Sequence, residues 1–257
     1  MGAALAWAGY RYLHRARRNL LQHRPLAAAH IAILERNLPL YTRLPADVRA
    51  RLHGCINLFL ADKNFIGCEG LAVTEEMRLT IAGNACLLLA GRGGPCYPGF
   101  SSILVYPDTY VAEETHYDGL VQTTEASTRV GESWQRGPVV LSWADVLRGI
   151  RGHEDGYNVV MHEFAHKLDE ENDIMDGLPV LRDSSQYAEW ARVLSREYAS
   201  LQHRPSPLLD DYGAESPAEF FAVATETFFE KPAQMQRLLP ELYQQLNSYY
   251  NLDPAKW

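Results

Sequence analysis

Val160-Met161-His162-Glu163-Phe164-Ala165-His166-Lys167-Leu168-Asp169 carries two histidines four residues apart among mostly apolar side chains. In a helix of 3.6 residues per turn, positions four apart lie on one face, so His162 and His166 can present their imidazoles to a single point. Glu163 then sits about a quarter-turn round the axis. Val160, Met161, Phe164, Ala165 and Leu168 make the other faces apolar and predict a buried helix over Tyr157 to Glu171. Imidazoles and a carboxylate buried there are costly unless something organises them, either a cation or ordinary core hydrogen bonds. Two neutral imidazoles and one further protein ligand leave a zinc ion a position open to water, whose pKa the metal lowers towards neutrality. Glu163 is the residue beside that point that can take the water's proton and return it to a leaving amine. The pattern therefore predicts one zinc ion and a hydrolytic reaction.

The third ligand is less directly readable. The longer zinc motif H-E-x-x-H-x-x-G-x-x-H fails, because Asp169 stands at its glycine and Asn172 at its last histidine, which argues against a metzincin. Asp169, three residues after His166, can orient an imidazole or cap the helix end against solvent. Downstream, Ser216-Pro217-Ala218-Glu219 starts a helix that runs on through Phe220 to Glu226. Glu219 and Glu226 share a face at a spacing of seven. Ser-Pro-Ala-Glu is also a capping box with proline at the first helical position, so Glu219 has a purely structural explanation. Glu226 can equally be a partner behind a ligand or a member of an internal ion pair, and spacing alone leaves Glu219 and Glu226 nearly even as the ligand.

The rest of the chain reads as α+β, with a small sheet between helical segments. Helical spacing covers Pro25 to Leu60, broken at Pro39 and Pro45, and again Thr74 to Leu89, where Thr74 is a cap and Arg92-Gly93-Gly94-Pro95 a stop. Ile103 to Tyr106 and Val139 to Leu141 read as strands, with Glu113 to Glu132 between them as a hairpin or long surface loop. Further helices are expected around Tyr187 to Leu201, Pro217 to Phe229 and Pro232 to Tyr249. The expected organisation is an N-terminal extension over 1–24, a helical lobe over 25–99 and a catalytic domain over 100–257, lobe and domain forming one compact unit.

A net charge of -8 argues against direct nucleic-acid binding, which needs a cationic surface. The basic run from Arg11 to Arg24 reads as a solvated helix face. Met1 to Tyr10 is apolar but too short to span a bilayer, and its basic residues follow the apolar run. Membrane association is not expected, the competing reading being an interfacial helix with Trp7, Tyr10 and Leu13 on its apolar side. Cys55, Cys68, Cys86 and Cys96 lie far apart with no C-x-x-C pair, consistent with a reducing cytoplasm.

His162-Glu163-Phe164-Ala165-His166-Lys167-Leu168-Asp169, Pro217-Ala218-Glu219-Phe220-Phe221-Ala222-Val223 and Gln135-Arg136-Gly137-Pro138-Val139-Val140-Leu141-Ser142-Trp143 together resemble the bacterial Mlc titration factor A family, a group of zinc peptidases. The resemblance runs from about Phe100 to Tyr250 and is weaker before it. It implies a zincin-like catalytic domain related to that of the anthrax lethal factor protease, in which a tyrosine precedes the glutamate ligand by seven residues. Tyr212 stands seven before Glu219. The resemblance thus selects Glu219 as third ligand, making the site a gluzincin, and implies that Tyr212 donates to the oxyanion of the tetrahedral intermediate, the alternative being a packing tyrosine. It also implies aminopeptidase-like action on a peptide substrate and binding of an Mlc-like repressor of sugar-uptake genes. By fold analogy, the strand from Val139 to Trp143 is expected to pair with extended substrate.

Overall fold

The computed structural model describes residues 2–108, 110–118, 121–129, 131–133 and 137–257, without the side chains of 2–6, 8, 10, 14 and 110–133. Gln135 and Arg136 of the third motif lie outside the described residues. Helix α1 (Gly2–His23) lies along α3 (Ala46–Asp62), where Arg18 pairs with Asp62 and the Asn57 amide donates to the Leu21 carbonyl. Trp7 and Leu13 of α1 stand exposed, and no helix among the described residues is long and apolar enough to cross a membrane. Between them, α2 (Ala28–Asn37) ends before Pro39, and a 3-10 turn over Pro39–Arg43 leads to Pro45, the cap of α3. Both expected breaks are present, each where a proline removes a backbone donor.

After α3 comes a strand that the sequence reading did not foresee, β1 (Asn64–Gly67), too short to show alternation. Helix α4 (Glu75–Leu87) follows, capped by the Thr74 hydroxyl on the Met77 amide. Strands β2 (Ser102–Tyr106) and β6 (Val139–Ser142) complete a parallel trio in the order β1-β2-β6. Between β2 and β6 the chain forms an antiparallel hairpin of β3 (Tyr110–Asp118) and β4 (Val121–Arg129), then β5 (Gly131–Ser133), which joins the far edge of β6 antiparallel and lies against the histidine helix.

This order corrects the expected role of the strand from Val139 to Trp143. Both backbone edges of β6 are already bonded, one to β2 and the other to β5, so it has no ladder left for a peptide. Trp143 instead opens a helix, α5 (Trp143–Arg151), with Ser142 as its cap.

The histidine stretch forms α6 (Val159–Asp169), followed by α7 (Tyr187–His203), α8 (Pro217–Glu230), α9 (Pro232–Leu238) and α10 (Pro240–Tyr250). The single helix expected from Pro232 to Tyr249 is two, because Pro240 cannot continue α9. One hydrophobic core runs from Leu26 to Leu252 and takes in residues of the lobe and of the sheet alike. Phe164, on the back of α6, packs its ring 4.9 Å from Tyr97, 5.6 Å from Phe59 and 5.8 Å from Phe100. Burying such a side chain is worth roughly 1.5–3 kcal/mol. These contacts fix which face of α6 turns inward, and hence where its histidines point.

Candidate metal centre

Asn158 sets the start of α6. Its side chain accepts from the Met161 amide as the helix cap, while its own amide group donates to Asn84 of α4 and Glu230 of α8. Its backbone N–H donates to the Glu226 carboxylate. One residue thereby ties the histidine helix to two neighbours. The start of α8 is fixed separately, by Pro217 in the first turn and the Ser216 hydroxyl accepting from the Glu219 amide. Only that half of the capping box forms. The Glu219 carboxylate turns to the histidines.

His162 Nε2 lies 2.9 Å and His166 Nε2 3.3 Å from Glu219 Oε2, and the two imidazole nitrogens are 3.2 Å apart. Glu226, the other candidate, sits behind His162, with Oε1 2.8 Å from Nδ1. Helix α8 therefore sends one carboxylate to each side of the same ring. Glu163 is buried beside the cluster, and the Tyr212 ring lies 5.8 Å from that of His162 at a 39° tilt, with Tyr212 46% exposed. Asp169 is fully buried and accepts from the Gly177 amide, so it does not cap solvent; it fastens the loop that leaves α6. Gly177 has φ +77, and a Cβ there would stand 2.4 Å from the Pro217 carbonyl oxygen, so this close approach of loop and helix start requires glycine.

The electrostatics follow from these contacts. Burial opposes charge on His162, but the neighbouring Glu226 carboxylate and the bond to Glu219 outweigh it and hold the imidazole well above its ordinary pKa. Burial also pushes Glu219 up, yet its bonds to His162 and His166 prevail and hold it far below the usual carboxylate range. Glu226 goes up, since burial exceeds the pull of His162. Burial raises Asp169 to about 6 against the Gly177 bond.

The donor set fits a metal ion. With the His162 Nδ1–H given to Glu226, the Nε2 lone pairs of both histidines and an oxygen of Glu219 face one another at 2.9 to 3.3 Å. Such a group repels itself unless a proton or a cation sits within it. Among the described residues His162, His166 and Glu219 form a group able to hold an ion, and no fourth donor joins them.

A model of the glucose-regulated metallo-peptidase M90 family matches residues 12–251. The chain belongs to this family. The M90 match takes in the lobe and part of α1, so the likeness extends well before Phe100. The chain is 41% identical over 257 residues to an uncharacterized protein of Synechocystis sp., covering 98% of this chain and 93% of that one. It is 33% identical to Mlc titration factor A of Salmonella agona over 230 residues, 85% of this chain and 84% of the relative. To Mlc titration factor A of Yersinia pestis it is 33% identical over 247 residues, 92% of this chain and 88% of the relative. M90 membership implies a metal, and these donors are the group within the matched residues that stands on a His-Glu-x-x-His helix.

Sequence reasoning missed the supporting residues. Asn158 carried a readable signal, an Asn directly before an apolar periodic run. Asn84 and Glu230 carried none, because their partners come from other helices.

Proposed function

We propose that this chain is a zinc-dependent metallopeptidase with aminopeptidase-like action on peptide substrates, its one zinc ion held by His162, His166 and Glu219 in a zincin-like domain. The observation that carries the reading is the convergence of those three donors without a fourth among the described residues. A structural zinc needs four protein ligands, whereas a catalytic one keeps a position for solvent or substrate. Glu226 is already committed to His162 Nδ1 and the Asn158 amide.

Zinc in this group supplies a Lewis acid that polarises the scissile carbonyl and acidifies water. Glu163 takes the proton of the attacking water and passes it to the leaving amine. Glu226 fixes the His162 tautomer, so that Nε2 keeps its lone pair for the metal. Tyr212, close to His162 and open to solvent, is the group we assign to hydrogen-bond the developing oxyanion. Extended substrate adds to β5, which is the outermost strand on that side of the sheet and lies against α6. Cytoplasmic location belongs to the same reading and rests on the cysteine pattern.

A second reading, regulatory binding of an Mlc-like repressor, rests on the names of the relatives, Mlc titration factor A. The two roles are compatible. Glu163→Ala separates them: zinc content stays at one ion per chain, peptide turnover disappears and repressor binding is unchanged. Full peptide turnover by Glu163→Ala overturns the catalytic reading.

A further inference from the structure

Three of the four cysteines, distant in sequence, meet in space. Cys55 comes from α3, Cys86 from the end of α4 and Cys96 from the turn beyond it, with all three sulfurs within 4.8 Å of one another. Cys55 Sγ and Cys96 Sγ are 3.4 Å apart and unbridged. The peptidase reading gives these thiols no task.

We propose that Cys55, Cys86 and Cys96 form a second metal site, for a single thiophilic cation of the copper(I) class, separate from the histidine centre. Lone buried cysteines are commonly inert packing. Three sulfurs converging at this spacing are a donor set, and soft thiolates select soft ions such as copper(I). A closed structural zinc is disfavoured, because it needs a fourth protein ligand. His53, which lines the same cavity, has Nε2 against the Tyr41 hydroxyl and Nδ1 accepting from the Leu26 amide.

The cluster also has a way in and a counter-charge. Cys55 and Cys96 line a cavity of about 350 Å³ bounded by the end of α1, α3 and the glycine turn after α4, with Gly93 and Gly94 at its wall. Cys86 is buried completely. Lys63, itself buried, donates to the carbonyls of Phe100 and of Tyr97, the residue next to Cys96. It offsets part of the negative charge that three thiolates retain around a monovalent ion. Binding is ligand exchange: each thiol releases its proton to solvent as its sulfur bonds the ion, and no oxidation state changes.

The test is anaerobic titration of the full-length, zinc-loaded protein with copper(I) delivered as its acetonitrile complex, against a chromophoric copper(I) chelator. The expected result is one copper(I) withheld from the chelator per chain, with an ultraviolet thiolate-to-copper band and no loss of zinc. Cys68→Ser, outside the cluster, keeps this behaviour, and Cys55→Ser and Cys86→Ser lose it. Should Cys86→Ser fail to fold, Cys55→Ser, at the cavity wall, still decides. Failure to withhold copper(I), retention by Cys55→Ser, displacement of zinc in step with copper uptake, or a Cys55–Cys96 disulfide in protein purified without oxygen each overturns the proposal. Peptidase activity is not the readout, so this result stands or falls apart from the catalytic reading.

Discussion

Glu226→Gln isolates what orients His162, one of the three proposed zinc ligands. In the wild type, Glu226 Oε1 lies 2.8 Å from His162 Nδ1, and the other oxygen accepts from the Asn158 backbone N–H. A hydrogen bond to a charged group is worth roughly 1.5–3 kcal/mol, about twice a neutral one. Glutamine keeps the shape and one acceptor, so the His162 bond falls to the neutral value, a loss of about 1 kcal/mol. Its amide nitrogen must then face either the Asn158 N–H or the His162 Nδ1–H, donor against donor, which adds about 1 kcal/mol. A total near 2 kcal/mol is roughly a thirtyfold weakening of zinc affinity, inside the range of about 10–100-fold common for partners behind a metal ligand. The assay is competition with a chromophoric zinc chelator at pH 7.5, alongside urea unfolding of the metal-free protein. In the metal-free protein His162 is free to take the Nε2–H tautomer and accept at Nδ1 from the introduced amide while the amide oxygen accepts from Asn158, so the clash arises only with zinc bound and the metal-free fold keeps its stability. Unchanged zinc affinity in a folded Glu226→Gln protein refutes the orienting role.

Tyr212→Phe, which removes only a hydroxyl, is expected to lower kcat by about 10²-fold with KM little changed, measured on a chromogenic aminoacyl substrate. Gly177→Ala places a Cβ 2.4 Å from the Pro217 carbonyl at a φ of +77 and is expected to cost at least about 2 kcal/mol in urea unfolding; a neutral result contradicts the close approach of loop and α8. Asp169 has a folded pKa of about 6 against an ordinary 3.8, so its stability contribution is fully present below about 3.8 and is lost as pH rises through 6. Asp169→Asn removes that term, so in chelator-treated protein its stability relative to wild type should rise by about 2.4 kcal/mol between pH 4 and 7, and a constant difference refutes the shift.

What was legible in the sequence was local. The spacing of His162 and His166 with the apolar residues between them defined α6, and Pro217 with Ser216 defined the start of α8, because caps and periodicity act within one turn of helix. Pro39 and Pro45 marked real breaks for the same reason. The choice between Glu219 and Glu226 was not local, since both lie on one face of α8 and only the docking of α8 on α6 decides which carboxylate lies on each side of the His162 ring. Strand β1 was missed because four residues flanked by helices carry too little pattern, and β6 was given the wrong neighbour because strand order depends on long-range pairing. The cysteines repeat the lesson: residues 55, 86 and 96 show no motif along the chain, yet α3 and α4 pack so that their sulfurs meet.

The most direct test is anomalous scattering at the zinc edge from crystals of the zinc-loaded protein. The expected result is a single strong peak bonded to His162 Nε2, His166 Nε2 and the Glu219 carboxylate, with no fourth protein atom in its coordination shell. A peak elsewhere, or one closed off by a further side chain, contradicts an open catalytic centre on α6 and α8.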